Sequence, residues 1–156
     1  MHRALAAAAA LLAIVLLIAF LWLGVRPPAP KVLASWRRTP GVLNPDVSQE
    51  TIGQTICVSG WTRTVRPPTS YTSTLKVEQM KEYALAGDPS DYQEDHLISL
   101  ELGGHPTDRR NLWPEPRPRA EQVDRIENEL NRKVCSGGIT LAEGQRRESE
   151  LKHRSG

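Results

Sequence analysis

Residues 4–25 form the longest apolar run of the chain: twenty-two positions without a charged or strongly polar side chain, opened by Arg3 and closed by Arg26-Pro27-Pro28. At ~1.5 Å per residue, a helix of that length crosses the ~30 Å hydrocarbon core of a bilayer. The segment reads as an uncleaved signal-anchor helix. A cleaved signal peptide is the alternative, with an apolar core over 11–23, although no small-x-small cleavage site precedes the prolines. Further on, the pattern changes to the short periods of a small domain. A β-branched run over 52–58 predicts a strand leading to Trp61. Leu75, Gln79, Met80, Tyr83 and Ala84 pattern as an amphipathic helix. The segment around Asp95-His96, closed by Gly103-Gly104, predicts a hairpin, because glycine accepts the positive φ of a tight bend. Val123, Ile126, Leu130 and Val134, spaced three, four and four apart, mark one stripe of a helix over about 120–133. Thr140-Leu141-Ala142-Glu143 has the form of a capping box, which starts a last helix. The predicted class is α+β with little strand.

These elements divide the chain into a membrane segment over 1–25, a Pro-rich linker over 26–40, one domain over 41–151 and a polar tail over 152–156. Pro27, Pro28 and Pro30 stiffen the linker and its basic residues keep it solvated. With no second long apolar run, a multi-span membrane protein is excluded. Charge adds a second layer. Lys and Arg number 20 against 18 Asp and Glu, so the net charge is close to neutral, but its distribution is uneven. Between 77 and 108 eight acidic residues face Lys81 alone, whereas 31–76 carries six basic against two acidic and 109–154 eleven against eight. An acidic centre framed by basic segments suits a metal site with phosphate contacts around it. Arg63, Arg66, Arg109 and Arg110 are the phosphate candidates. No zinc finger or recognition helix points to sequence-specific reading.

The two cysteines, Cys57 and Cys135, flank the centre of the domain. An even pair in a small exported domain suggests a disulfide, with two buried thiols as the alternative. Closing so long a loop would stabilise the fold by on the order of 4 kcal/mol on the chain-entropy model. Orientation is contested: Arg26, Lys31, Arg37 and Arg38 outnumber Arg3 and would keep the domain cytoplasmic, whereas the cysteine pair favours an extracytoplasmic domain. The extracytoplasmic placement is the one expected here, and a secreted domain if the first segment is cleaved.

The ordered set Glu94-Asp95-His96, Gly103-Gly104 and Asn111-Leu112-Trp113-Pro114, followed by a helix, resembles the HNH nucleases, a branch of the ββα-metal or His-Me finger endonucleases. The resemblance implies a small ββα-metal core with flanking helices. It implies that Asp95 binds a divalent metal, that His96 is the general base and that Asn111 braces the loop. Phosphodiester hydrolysis needs an activated water and a sink for developing charge, which an imidazole and a metal ion would supply. The metal implied is a single Mg²⁺ or Mn²⁺, with Zn²⁺ or Ni²⁺ admitted by an imidazole among the ligands. HNH proteins usually draw a further ligand, His or Asn, from the start of the helix. No His stands there, so Asp124 is the first choice and Asn128 the second, with Glu127 nearer the edge of the apolar stripe. His105 is within reach of a phosphate or simply exposed, and His2 and His153 receive no role.

A wider likeness to small exported bacterial HNH-like proteins runs over about 39–145. It rests on Thr55-Ile56-Cys57-Val58, Val65-Arg66-Pro67-Pro68-Thr69-Ser70-Tyr71, Asn111-Leu112-Trp113-Pro114-Glu115-Pro116 and Val134-Cys135-Ser136-Gly137. That group closes with an apolar helix and a Trp, whereas 146–156 here is polar, so a short or incomplete last helix is expected. Two functions follow. One is a membrane-tethered, metal-dependent endonuclease acting on DNA or RNA outside the cytoplasm, with nucleic acid and membrane as its partners and no protein partner implied. The other is a non-catalytic HNH-like module that binds nucleic acid or another cell-envelope polymer.

Overall fold

Two short strands, the second carrying two prolines, and the helix that follows it without a loop organise the domain. The structure, a computed structural model, describes residues 32–154. The expected membrane helix over 4–25 lies outside them, and no helix among the described residues is long and apolar enough to cross a membrane. In chain order the described residues hold α1 (Trp61–Val65), α2 (Thr69–Glu82), β1 (Tyr92–His96), β2 (Leu112–Pro116), α3 (Arg117–Cys135) and α4 (Leu141–Arg154). The class is mixed α+β. β1 and β2 pair antiparallel, with Asp95 opposite Trp113 and His96 opposite Leu112. Pro114 and Pro116 have no N–H to give, which a strand with a free edge tolerates and which also blunts that edge. Pro118 sits in the first turn of α3, where a missing N–H costs nothing, so β2 passes directly into the helix.

α2 and α3 both pack against the two strands, and α4 packs on α3. One apolar cluster gathers Val47, Ile56, Ile98, Leu102, Leu130, Val134 and Leu141. A second joins Val32, Ala34, Met80, Tyr92, Leu97 and Trp113. The 97–111 connection between the strands therefore feeds both cores. Cys57 and Cys135 are disulfide-bonded with Cα atoms 5.5 Å apart, tying the end of α3 to the segment before α1.

Several expectations are corrected. The strand over 52–58 is absent; Ile52–Gln54 is a 3₁₀ turn followed by further turns. Local side chains compete for its backbone: the Thr51 hydroxyl donates to the Asp46 carbonyl and the Thr55 hydroxyl to the Thr51 carbonyl. Ile56 reaches the core from a turn instead. Residues from Val32 onward do not behave as linker, since Val32, Ala34 and Thr39 are buried and the Ala34 N–H donates to the Lys152 carbonyl. α3 begins at Arg117, earlier than the apolar stripe indicated. The last helix is not short: it runs to Arg154, with the Thr140 hydroxyl accepting from the Glu143 N–H at its start. Its polar end is buried, with Glu148 and Lys152 fully so. His153 is buried too, its Nε2 lying 3.0 Å from the Thr39 carbonyl and its ring stacked on Trp36.

Candidate functional site

Successive side chains on a strand point to opposite faces, so Asp95 and His96 would ordinarily be separated. His96 is the last residue of β1, and the chain leaves the sheet there. Both residues consequently line one polar cavity of about 260 Å³, together with Arg66, Gln93, Ser99, Glu101, Asp124, Glu127 and Asn128.

The loop that carries the cavity wall is held from inside by Asn111. Its Oδ1 accepts from the Ile98 N–H, and its Nδ2 donates to the carbonyls of Ile98 and His105, all at 3.0 Å. Gly103 adopts φ +76°, a left-handed conformation that suits glycine. Gly104 is required for a different reason: a Cβ there would lie 1.7 Å from the Ile98 carbonyl oxygen. His105 turns inward to its own loop, Nδ1 accepting from the Asp108 N–H, and it is not part of the cavity.

His96 is buried, and its Nε2 lies 3.0 Å from the Pro106 carbonyl. A carbonyl only accepts, so Nε2 carries the proton and Nδ1 keeps its lone pair. Burial depresses the imidazole pKa, outweighing the Pro106 hydrogen bond and the Asp95 charge, with Lys152 and Arg66 pushing the same way as burial. The ring is therefore neutral at pH 7 and oriented as a base.

Asp95 is buried in the cavity wall. Its Oδ2 accepts from Lys152 Nζ at 3.0 Å. The same ammonium donates to Glu127 Oε1 at 2.6 Å and to the His96 carbonyl, and stands 3.4 Å from Glu148 Oε1. All three ammonium donors are thus used. Burial opposes charge on Lys152, but Asp95, Glu127, Glu148 and Glu115 more than offset it and raise its pKa well above the usual value. Burial likewise opposes charge on Asp95, yet Lys152 and a hydrogen bond from Glu115 hold its carboxyl at about 2. Burial pushes Glu115 up to about 9, helped by the neighbouring Asp95. A protonated Glu115 supplies the hydrogen that Asp95 accepts. Glu127 is also driven upward by burial, against Lys152. Glu148 closes the cluster by accepting the Ser99 N–H with both oxygens, at 2.9 and 3.0 Å.

Comparison with family models, curated proteins and solved structures finds no match to this chain. The site rests on its own geometry.

Of the residues expected to act, the structure brings Asp95, His96, Asp124, Asn128 and Arg66 to one cavity. Asp124 and Asn128 are exposed on its wall, where Asn128 Nδ2 donates to the Asp124 carbonyl rather than reaching Asp95. The α3 residue that converges with Asp95 is Glu127, which falls on the buried face with Val123 and Leu130. Arg63, Arg109 and Arg110 are not in the cavity; Arg109 pairs with Glu82 and Arg110 with Asp108. Glu115, Glu148 and Lys152 were missed. A signal existed for the last two, because Leu141, Gly144, Glu148 and Lys152 continue one helical face at spacings of three, four and four.

The Mg²⁺ or Mn²⁺ implied by the resemblance does not fit between Asp95 and Glu127 as they stand, since Lys152 fills the space between them. Among the described residues, no group of three or more His, Cys, Asp or Glu side chains is arranged to hold a metal ion.

Proposed function

We propose that this chain is an endonuclease that hydrolyses phosphodiester bonds of DNA or RNA, tethered to a membrane by residues 4–25 with its domain outside the cytoplasm. The observation that carries the reading is His96: a neutral imidazole, fixed through Nε2 to the Pro106 carbonyl, with Nδ1 available beside a polar cavity. In this reading Nδ1 takes a proton from the attacking water, and the buried Nε2–H···O bond holds the ring in the needed tautomer. Arg66, at the cavity rim, meets the phosphate. Asp95 offsets the imidazolium charge that forms next to it, while its own carboxylate is held in place by Lys152 and Glu115. The succession β1, loop, β2, α3 supports a ββα core of the HNH kind, and the Asn111 hydrogen bonds support the bracing role that the likeness implies.

The test is a nicking assay with the detergent-solubilised chain on supercoiled plasmid and on single-stranded DNA and RNA. Parallel arms contain Mg²⁺, Mn²⁺, Zn²⁺ or EDTA, so that metal dependence is read directly. Cleavage of one of these polymers is the expected result. Retention of nucleic acid without cleavage in any arm favours the non-catalytic module.

A further inference from the structure

The cluster around Lys152 is built like a cation site, with oxygen donors converging on one centre from three directions. Asp95 comes from β1, Glu127 from α3 and Glu148 from α4, and the His96 carbonyl adds a fourth oxygen. The centre is already occupied by the protein's own ammonium, which is fully buried and has no remaining donor to give. A divalent ion seated on the Asp95 carboxylate would meet that ammonium at close range in a buried setting, where like charges repel strongly. It would also need the Asp95 oxygen that Lys152 holds. The position is specific to α4: Lys152 lies four residues after Glu148, so both project from the same helical face toward the end of β1.

The geometry points to Lys152 as the resident cation of this site: it occupies the place beside Asp95 that a divalent metal would take, so the two exclude each other. Lys152 is then a positioning residue. It sets the Asp95 carboxylate and the His96 carbonyl, and so the end of β1 from which the His96 ring projects. The inference deepens the nuclease reading, on which it rests for a cation being expected beside Asp95 at all. Its readout is binding rather than turnover, so the two fail separately.

The full chain in detergent is titrated with MnCl₂ by calorimetry, as the parent, Lys152→Met, Asp95→Asn, and the charge-balanced pair Lys152→Met with Glu127→Gln. Accessibility of Lys152 to an amine-acylating reagent is mapped by mass spectrometry on the parent, with and without Mn²⁺. The expected result is that removing Lys152, alone or in the pair, tightens Mn²⁺ binding at least about tenfold over the parent. In the parent, Lys152 should stay protected without Mn²⁺ and become reactive whenever Mn²⁺ occupies the Asp95 site. A parent that binds no Mn²⁺ at millimolar concentration while Lys152 stays protected also agrees with exclusion. Stoichiometric Mn²⁺ binding to the parent, lost in Asp95→Asn but leaving Lys152 protected, overturns the proposal because both cations would then coexist. So does a folded Lys152→Met, or folded pair, that binds Mn²⁺ no tighter than the parent. The parent measurements need no substituted chain to fold. Absence of nucleic-acid cleavage in every variant would remove the nuclease reading and leave the binding result standing.

Discussion

Nε2 of His96 is committed to the Pro106 carbonyl, so the ring has one nitrogen left for chemistry and must be neutral to use it. Burial lowers its pKa, which moves the acid limb of activity downward. Cleavage should hold level through neutral pH and fall only below the ordinary imidazole value of about 6.5, with a midpoint read from a pH–rate profile. A midpoint above that value would contradict the burial argument. Asn111 acts differently, through three hydrogen bonds into a buried loop. Asn111→Ala should lower unfolding free energy by about 3 kcal/mol, at roughly 1 per bond, as measured by chemical denaturation. The residues legible in the sequence were those that follow one another along the loop: Asp95, His96, the glycine pair and Asn111 depend on local order. Glu127 ranks behind Asp124 and Asn128 in the sequence because it lies nearer the edge of the apolar stripe, where a carboxylate is costly unless a distant cation meets it. That cation, Lys152, lies twenty-five positions further on.

Among the elements, the loop between β1 and β2 tolerates least. Gly104→Ala places a Cβ 1.7 Å from the Ile98 carbonyl, whereas a Cβ at Gly53 meets nothing within 4 Å. Gly104→Ala should therefore lower the melting temperature clearly while Gly53→Ala leaves it nearly unchanged, a pair that scanning calorimetry compares directly. Helix periodicity carried α2 and α3 because each buries one face, and the capping box carried the start of α4. The strand over 52–58 failed because β-branched residues state a preference and not a partner: no neighbouring strand pairs there, and Thr51 and Thr55 satisfy the turn. α4 looked incomplete because Glu148, Lys152 and His153 read as solvated charges. Each is buried against a partner from another part of the chain. Polar burial of this kind has no local pattern.

At the scale of the whole molecule, buried carboxyls set the response to pH. Burial pushes the Glu115 carboxyl up to about 9 and the Glu94 carboxyl up to about 8, far above the usual carboxylate range. A carboxyl whose pKa rises on folding contributes stability that is present below its unfolded value and lost as pH climbs through the folded one. Asp95, lowered to about 2, works in the opposite sense and matters only below about pH 4. Thermal stability should therefore be greater near pH 5 than near pH 9, and Glu115→Gln should flatten the alkaline decline. The disulfide between Cys57 and Cys135 carries no titratable proton and adds nothing to this pH response. All of this scaffolding serves one proposed event, the transfer of a proton from water to His96 at a phosphodiester. The most direct measurement is the plasmid-cleavage rate of His96→Ala against the parent at matched folding, verified by the melting temperature of each. A fall of about 10²–10⁴-fold with the fold intact is the expected result. A His96→Ala chain that cuts as fast as the parent would contradict it.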